Sequence, residues 1–194
     1  MHTPPIVLAS SSPYRRSLLA RLRLPFEVRV PGVNETALPG EAARETALRL
    51  AQAKARAVAA SCPAALIIGC DQVAALDGAV IGKPGTHANA LAQLKAMRGK
   101  SVRFHTALAL LNAATGALQS AEVPTTVRFR NCDDSEIERY LAAERPYDCT
   151  GSAKIEGIGI VLVESVESAD PSALIGLPLI QLATMLRNEG VVIV

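Results

Sequence analysis

Apolar residues in this chain gather in short runs, separated by serine, glycine and proline. Ile6-Val7-Leu8-Ala9 and Leu66-Ile67-Ile68 are too short for helices and carry no polar break, which predicts strands buried on both faces. Phe26-Glu27-Val28-Arg29-Val30 alternates and predicts a half-exposed strand. Helical spacing appears at 14–22, with Leu18, Leu19 and Leu22 on one face, Ser12 as cap and Pro13 in first position. A longer helix is predicted over 41–60, with Ala47, Leu50, Ala51, Lys54 and Val58 on one stripe. Thr86 caps a third, reaching Arg98 with Ala90, Leu91, Leu94 and Met97 inward and Gly99 ending it. Residues 102–111 and 121–129 read as an antiparallel pair about a turn at 112–116. An amphipathic helix at 135–143 presents Ile137, Tyr140 and Leu141. A glycine-rich loop follows, then a buried strand at 158–166, a loop or short helix at 170–178 and a closing helix at 179–188. This mixture predicts an α/β (or α+β) fold about a twisted mixed sheet in one domain, residues 1–194.

The run at 66–68 leads through Gly69 to Asp71, a carboxylate read as standing at a strand tip. Asp77-Gly78 is a strong two-residue hairpin signal, expected to return Gly82-Lys83-Pro84 beside that acid. Carboxylate with ammonium suits a metal-bound phosphate. Taken alone, the segment equally describes a strand end followed by a solvated lysine. Lys54, on an apolar stripe, either snorkels or reaches into a site.

The Ser10-Ser11-Ser12 loop between a strand and a helix start offers free backbone N–H groups, a ready anion site. Arg15 and Arg16 in the first helical turn oppose the helix dipole unless an anion lies near, a local conflict that hints at function. A capped helix with surface arginines is the plainer alternative.

Composition narrows the classes. With 194 residues, 49% of them hydrophobic, the chain has ample material for a packed core. A net charge of +2 with scattered arginines argues against nucleic-acid and membrane partners. No apolar stretch reaches membrane-spanning length, and the start lacks the apolar core of a signal peptide. Cys62, Cys70, Cys132 and Cys149 show no metal-type spacing, so reduced thiols in the cytoplasm are expected. His2, His87 and His105 form no ligand pattern.

Six spaced segments carry a resemblance: LASSSPYRR, NET at 34–36, LAQAKA at 50–55, GCDQV, GKP and the late GSAKIEG with GLPL. Together they resemble the Maf family of nucleoside triphosphate pyrophosphatases over nearly the whole chain. DQV, PYDCTGS and DPSALIGLPL resemble the branch acting on 7-methyl-GTP. The resemblance implies a two-lobed fold with an interlobe cleft, often dimeric, and hydrolysis between the α and β phosphates with a divalent metal, Mg or Mn. It implies Asp71 as proton acceptor, and Ser10, Arg15, Arg16, Lys54 and Lys83 on the phosphates. Glu35 and Asp71 are the implied metal ligands, and Tyr14, Gln72 and Glu156 the base-specificity positions. Two departures stand out: Asn34 where the family usually has aspartate, and Ala153 where GSFK-type sequences are bulkier. A sister activity on dTTP and UTP, or a nucleotide-binding regulator of cell division without turnover, would use the same cleft.

Overall fold

A computed structural model describes residues 4–194; His2 lies outside them. Among the described residues are seven strands and five α-helices: β1 Ile6–Ala9, α1 Pro13–Ala20, β2 Phe26–Arg29, α2 Ala43–Ala59, β3 Leu66–Leu76, β4 Ala79–Ile81, α3 His87–Met97, β5 Ser101–Asn112, β6 Leu118–Phe129, α4 Asp134–Glu144, β7 Val163–Ser168 and α5 Leu179–Asn188. The strand order is β2-β1-β3-β5-β6-β7, with β4 paired to β3. β1 runs parallel to both β2 and β3, whereas β3–β4 and β6–β7 are antiparallel, so the sheet is mixed. No helix among the described residues is long and apolar enough to cross a membrane.

The chain divides into two compact units, one formed by residues up to Gln72 with Thr106–Val123 and Asp170–Val194, the other by Val73–His105 and Pro124–Ala169. In the first, Ile6 and Leu8 of β1, Leu66, Ile68 and Cys70 of β3, and Leu108 and Leu110 of β5 pack with Leu18, Leu19, Leu182, Met185 and Leu186 of α1 and α5. The other face of β3 meets α2. Gly69 permits this approach: a Cβ there would lie 2.1 Å from the Ala51 carbonyl oxygen, so only a residue without a side chain fits. In the second unit, Ile137, Tyr140 and Leu141 of α4 and Leu94 and Met97 of α3 are buried.

Three expectations are corrected. β3 does not end near Asp71 but continues to Leu76, placing the acid in mid-strand. A buried carboxylate need not stop a strand when a cation accompanies it. The segment 158–166 is not one buried strand: Ile158–Leu162 forms a 3-10 helix and β7 begins at Val163, with most of its residues exposed. β2 shows no alternation either: Phe26 is half-buried and the next three residues are exposed. The hairpin itself turns as expected, Asp77 and Gly78 both at positive φ (51° and 84°), the twist that two-residue hairpins favour.

Candidate active site

Strand periodicity sorts the chemistry of β3 onto two faces. Gly69 and Asp71 share the face that meets α2, whereas Cys70 and Gln72 point to the opposite one. On the α2 face, Lys54 projects from the buried stripe formed by Ala47, Leu50, Ala51 and Val58. Its ammonium lies 2.6 Å from Oδ1 of Asp71 and 2.9 Å from Oε1 of Glu35. Lys54 and Asp71 are nearly inaccessible, with side chains 5% and 8% exposed, while Glu35 is 59% exposed. Burial pushes the Asp71 carboxyl above the usual carboxylate range, with the Lys54 ammonium opposing that rise. The site is therefore a buried carboxylate with a buried counter-cation, touched from the solvent side by a second acid.

Glu35 stands in the segment between β2 and α2, which is fastened twice. Asn34 Oδ1 accepts from the Thr36 N–H at 3.0 Å. An aspartate could accept the same bond, which accounts for the Asn34 substitution locally. Glu41 receives the Leu38 N–H, the Thr46 hydroxyl and the Arg49 guanidinium, and Arg49 also reaches the Thr36 carbonyl. These interactions hold the Glu35 segment against the helix that carries Lys54. Sequence reading missed them; Glu41 and Arg49, eight residues apart at the start of α2, were the available signal.

At α1, Ser12 caps the helix by accepting the Arg15 N–H, and Pro13 occupies the first turn, as expected. Ser10 is buried and accepts the Ser12 N–H at 3.1 Å. The Ser12 and Arg15 N–H groups are thus already bonded to serine hydroxyl oxygens. Arg15 Nε donates to the Gly176 carbonyl at 2.9 Å. Neither Arg15 nor Arg16 is ion-paired among the described residues, and no acid stands in the first turn. Tyr14 is half-buried beside them.

On the opposite face of β3, the Cys70 thiol donates to Gly176 O at 2.9 Å, and burial pushes it up to about 11, so it is no nucleophile. Gln72 Nε2 lies 2.9–3.0 Å from Thr106 Oγ1 and from the carbonyls of Ala173 and Leu174. The segment it grips, a 3-10 helix at Pro171–Ile175, is fixed by Asp170. That buried carboxylate takes the N–H and hydroxyl of Ser172 and the N–H of Ile180 at the start of α5.

The second unit holds Lys83 and Glu156. The ladder ends at Ala74–Ile81, so Lys83 follows it in an exposed stretch and makes no ion pair among the described residues. Gly82 O accepts from Gly151 N and from Gln93 Nε2, while Gln93 Oε1 accepts the Ser152 hydroxyl. The GKP and GSAK segments are thereby tied together. Lys154 pairs with Glu144 at 2.6 Å, Glu144 also accepts the Ile158 N–H, and Glu156 is exposed between them. Half-buried Ala153 lies within this braced stretch.

For a divalent metal, the oxygens of Glu35 and Asp71 are of the right hard type. Among the described residues no group of three or more His, Cys, Asp or Glu is gathered to hold a metal. A two-carboxylate set fits Mg or Mn, which complete their shell with waters and substrate phosphates rather than an all-protein cage.

The family model described as Maf-like protein matches residues 5–189. Proteins of Methylobacillus flagellatus and Ralstonia nicotianae, both named 7-methyl-GTP pyrophosphatase, are 60% and 61% identical to this chain over 188 and 185 residues. The alignments cover 97% and 95% of this chain and 98% and 95% of theirs. A protein of the same name from Cupriavidus metallidurans is 59% identical over 187 residues, 96% of this chain and 94% of its own.

Proposed function

This chain belongs to the Maf-like family, and from that premise we propose that it hydrolyses 7-methyl-GTP to 7-methyl-GMP and pyrophosphate, removing a modified nucleotide. The observation that carries the chemistry is the buried Asp71–Lys54 pair, 2.6 Å apart, with Glu35 on the same ammonium. Pyrophosphate hydrolysis asks for a positioned water, neutralised phosphate charge and in-line geometry.

Asp71 is the proton acceptor for that water. Burial raises its proton affinity, which makes it a better base than a solvated carboxylate, while the Lys54 ammonium opposes that rise. Arg15, Arg16, Lys54 and Lys83 hold the phosphate chain by charge, and Ser10 shapes the loop that presents the arginines. Glu35 and Asp71 would hold a Mg or Mn ion. When bound, the ion supplies phosphate charge neutralisation and acidifies a water. Tyr14, Gln72 and Glu156 recognise the base: N7-methylation makes guanine cationic, which favours an aromatic face and a carboxylate.

Among the described residues no disulfide joins the cysteines, which fits a reducing compartment, and we propose the cytoplasm as the place of the activity. The family resemblance also supports a homodimer, to be checked by light scattering. The deciding experiment is a panel of 7-methyl-GTP, GTP, dTTP and UTP with pyrophosphate detection. Highest kcat/KM on 7-methyl-GTP is expected. Preference for dTTP and UTP would instead mark the sister activity, and binding without pyrophosphate release a nucleotide-binding regulator.

A further inference from the structure

Gln72 carries a side-chain amide whose two ends read opposite partners, and its surroundings decide which end is free. Nε2 lies 2.9 Å from Thr106 Oγ1 and 3.0 Å from each of the carbonyl oxygens of Ala173 and Leu174. Carbonyls accept only. The Thr106 hydroxyl has one hydrogen, and it is spent on Ala173 O at 3.0 Å; toward Gln72 it too can only accept. Reversing the amide would set its oxygen against three acceptors, so the orientation is fixed chemically. Thr106 is fully buried, and the 3-10 segment bearing the two carbonyls is held by buried Asp170.

We infer that Thr106, with the Ala173 and Leu174 carbonyls, is a positioning device that consumes both N–H groups of Gln72 and leaves only its oxygen for a ligand. Resting on the proposed base-recognition role of Gln72, this specifies what that residue reads: an N–H donor on the base. Guanine and 7-methylguanine offer donors at N1 and the exocyclic amine. Thr106 touches no substrate and acts through Gln72 alone.

The test compares wild type, Thr106→Val and Thr106→Ser on 7-methyl-GTP and on a poor substrate such as UTP. Thr106→Val keeps the shape and removes the acceptor, and serine restores it. We expect Thr106→Val to lower kcat/KM on 7-methyl-GTP on the order of threefold to tenfold, mainly through KM, with a smaller loss on UTP, whose smaller ring offers a single N3–H in place of two adjacent donors, and Thr106→Ser near wild type. The Gln72 side-chain amide protons should exchange slowly with solvent in wild type and faster in Thr106→Val. Equal losses on both nucleotides, unchanged preference, or unprotected amide protons in wild type would overturn the inference. If wild type itself shows no preference for 7-methyl-GTP, the substrate reading fails instead, and amide protection still decides whether the lock exists. Thermal melts identify a variant that is merely unfolded, and Gln72→Met then serves in its place: it keeps length without an acceptor and should lose the same preference.

Discussion

The Lys54 ammonium and the Asp71 carboxylate are held 2.6 Å apart where both side chains are less than a tenth exposed. A buried pair of this kind gains little net stability, yet breaking it is costly because one charge stays behind. Asp71→Asn keeps an oxygen that accepts from Lys54, so the fold should survive while turnover falls by about 10²–10⁴. Lys54→Met strands a buried carboxylate and should cost about 3–5 kcal/mol. The double variant should recover part of that loss, because the stranded charge is gone. Denaturation of all three, alongside pyrophosphate release, reads both effects. Near-normal turnover in folded Asp71→Asn would remove Asp71 from the mechanism.

Activity should depend on a divalent cation. Among the described residues no thiolate or imidazole cluster is gathered, and the proposed ligands Glu35 and Asp71 would offer two hard oxygens suited to Mg or Mn. Chelator-treated protein should be inactive and regain turnover with either ion. Glu35→Gln should raise the metal concentration needed for half-maximal rate. Full activity after exhaustive chelation would exclude the requirement.

The burial of Lys54 and the start of α1 were legible because local patterns placed them. The stripe on α2 put Lys54 among buried alanines and leucines, and Ser12-Pro13 set the start of α1 within one residue. What escaped depended on partners distant in sequence. Asp71 read as a strand tip because a lone acid normally ends burial; Lys54, 17 residues earlier, offsets part of that penalty. The run at 158–162 read as a strand from apolarity alone. There Gly157 packs against Glu144, Gly159 N bonds back to Lys154 O, and Ile160 N reaches Gly157 O three residues back, the bond of a 3-10 turn. The Thr106–Gln72 contact joins residues 34 apart on different strands, with no local signature.

Gly69→Ala tests whether the close approach of β3 to α2 sets the site. The new methyl would sit 2.1 Å from the Ala51 carbonyl oxygen and 2.8 Å from the Ala55 nitrogen, both backbone atoms that cannot yield independently. Overpacking of this kind costs about 1–3 kcal/mol or more. Because Ala51 and Ala55 bracket Lys54 on the helix, displacement should also reduce turnover. Gly82→Ala, with nothing within 4 Å of the added carbon, is the stability control. Equal melting temperatures for the two variants would mean that α2 moves aside freely.

Glu41 links acid stability to the Glu35 segment. Its hydrogen bond with Arg49, reinforced by the Leu38 N–H, holds its carboxyl well below the ordinary 4.5, at about 2. A group depressed in the folded state contributes stability that is present in full above its unfolded value and is lost as pH falls through its folded one. The contribution should therefore be complete above about pH 4.5 and vanish between there and about pH 2. Glu41→Gln lacks a titrating group, so its melting temperature should approach that of wild type as the pH drops across that window. At neutral pH the same variant loosens the segment bearing Glu35, since glutamine loses the charge and keeps one acceptor oxygen, turning an NH2 donor toward the Leu38 or Arg49 donors. The metal concentration for half-maximal rate should rise a few-fold while the rate at saturating metal stays close to wild type. Melting curves that remain parallel from pH 7 to pH 3 would show that the Glu41–Arg49 contact is not maintained in solution.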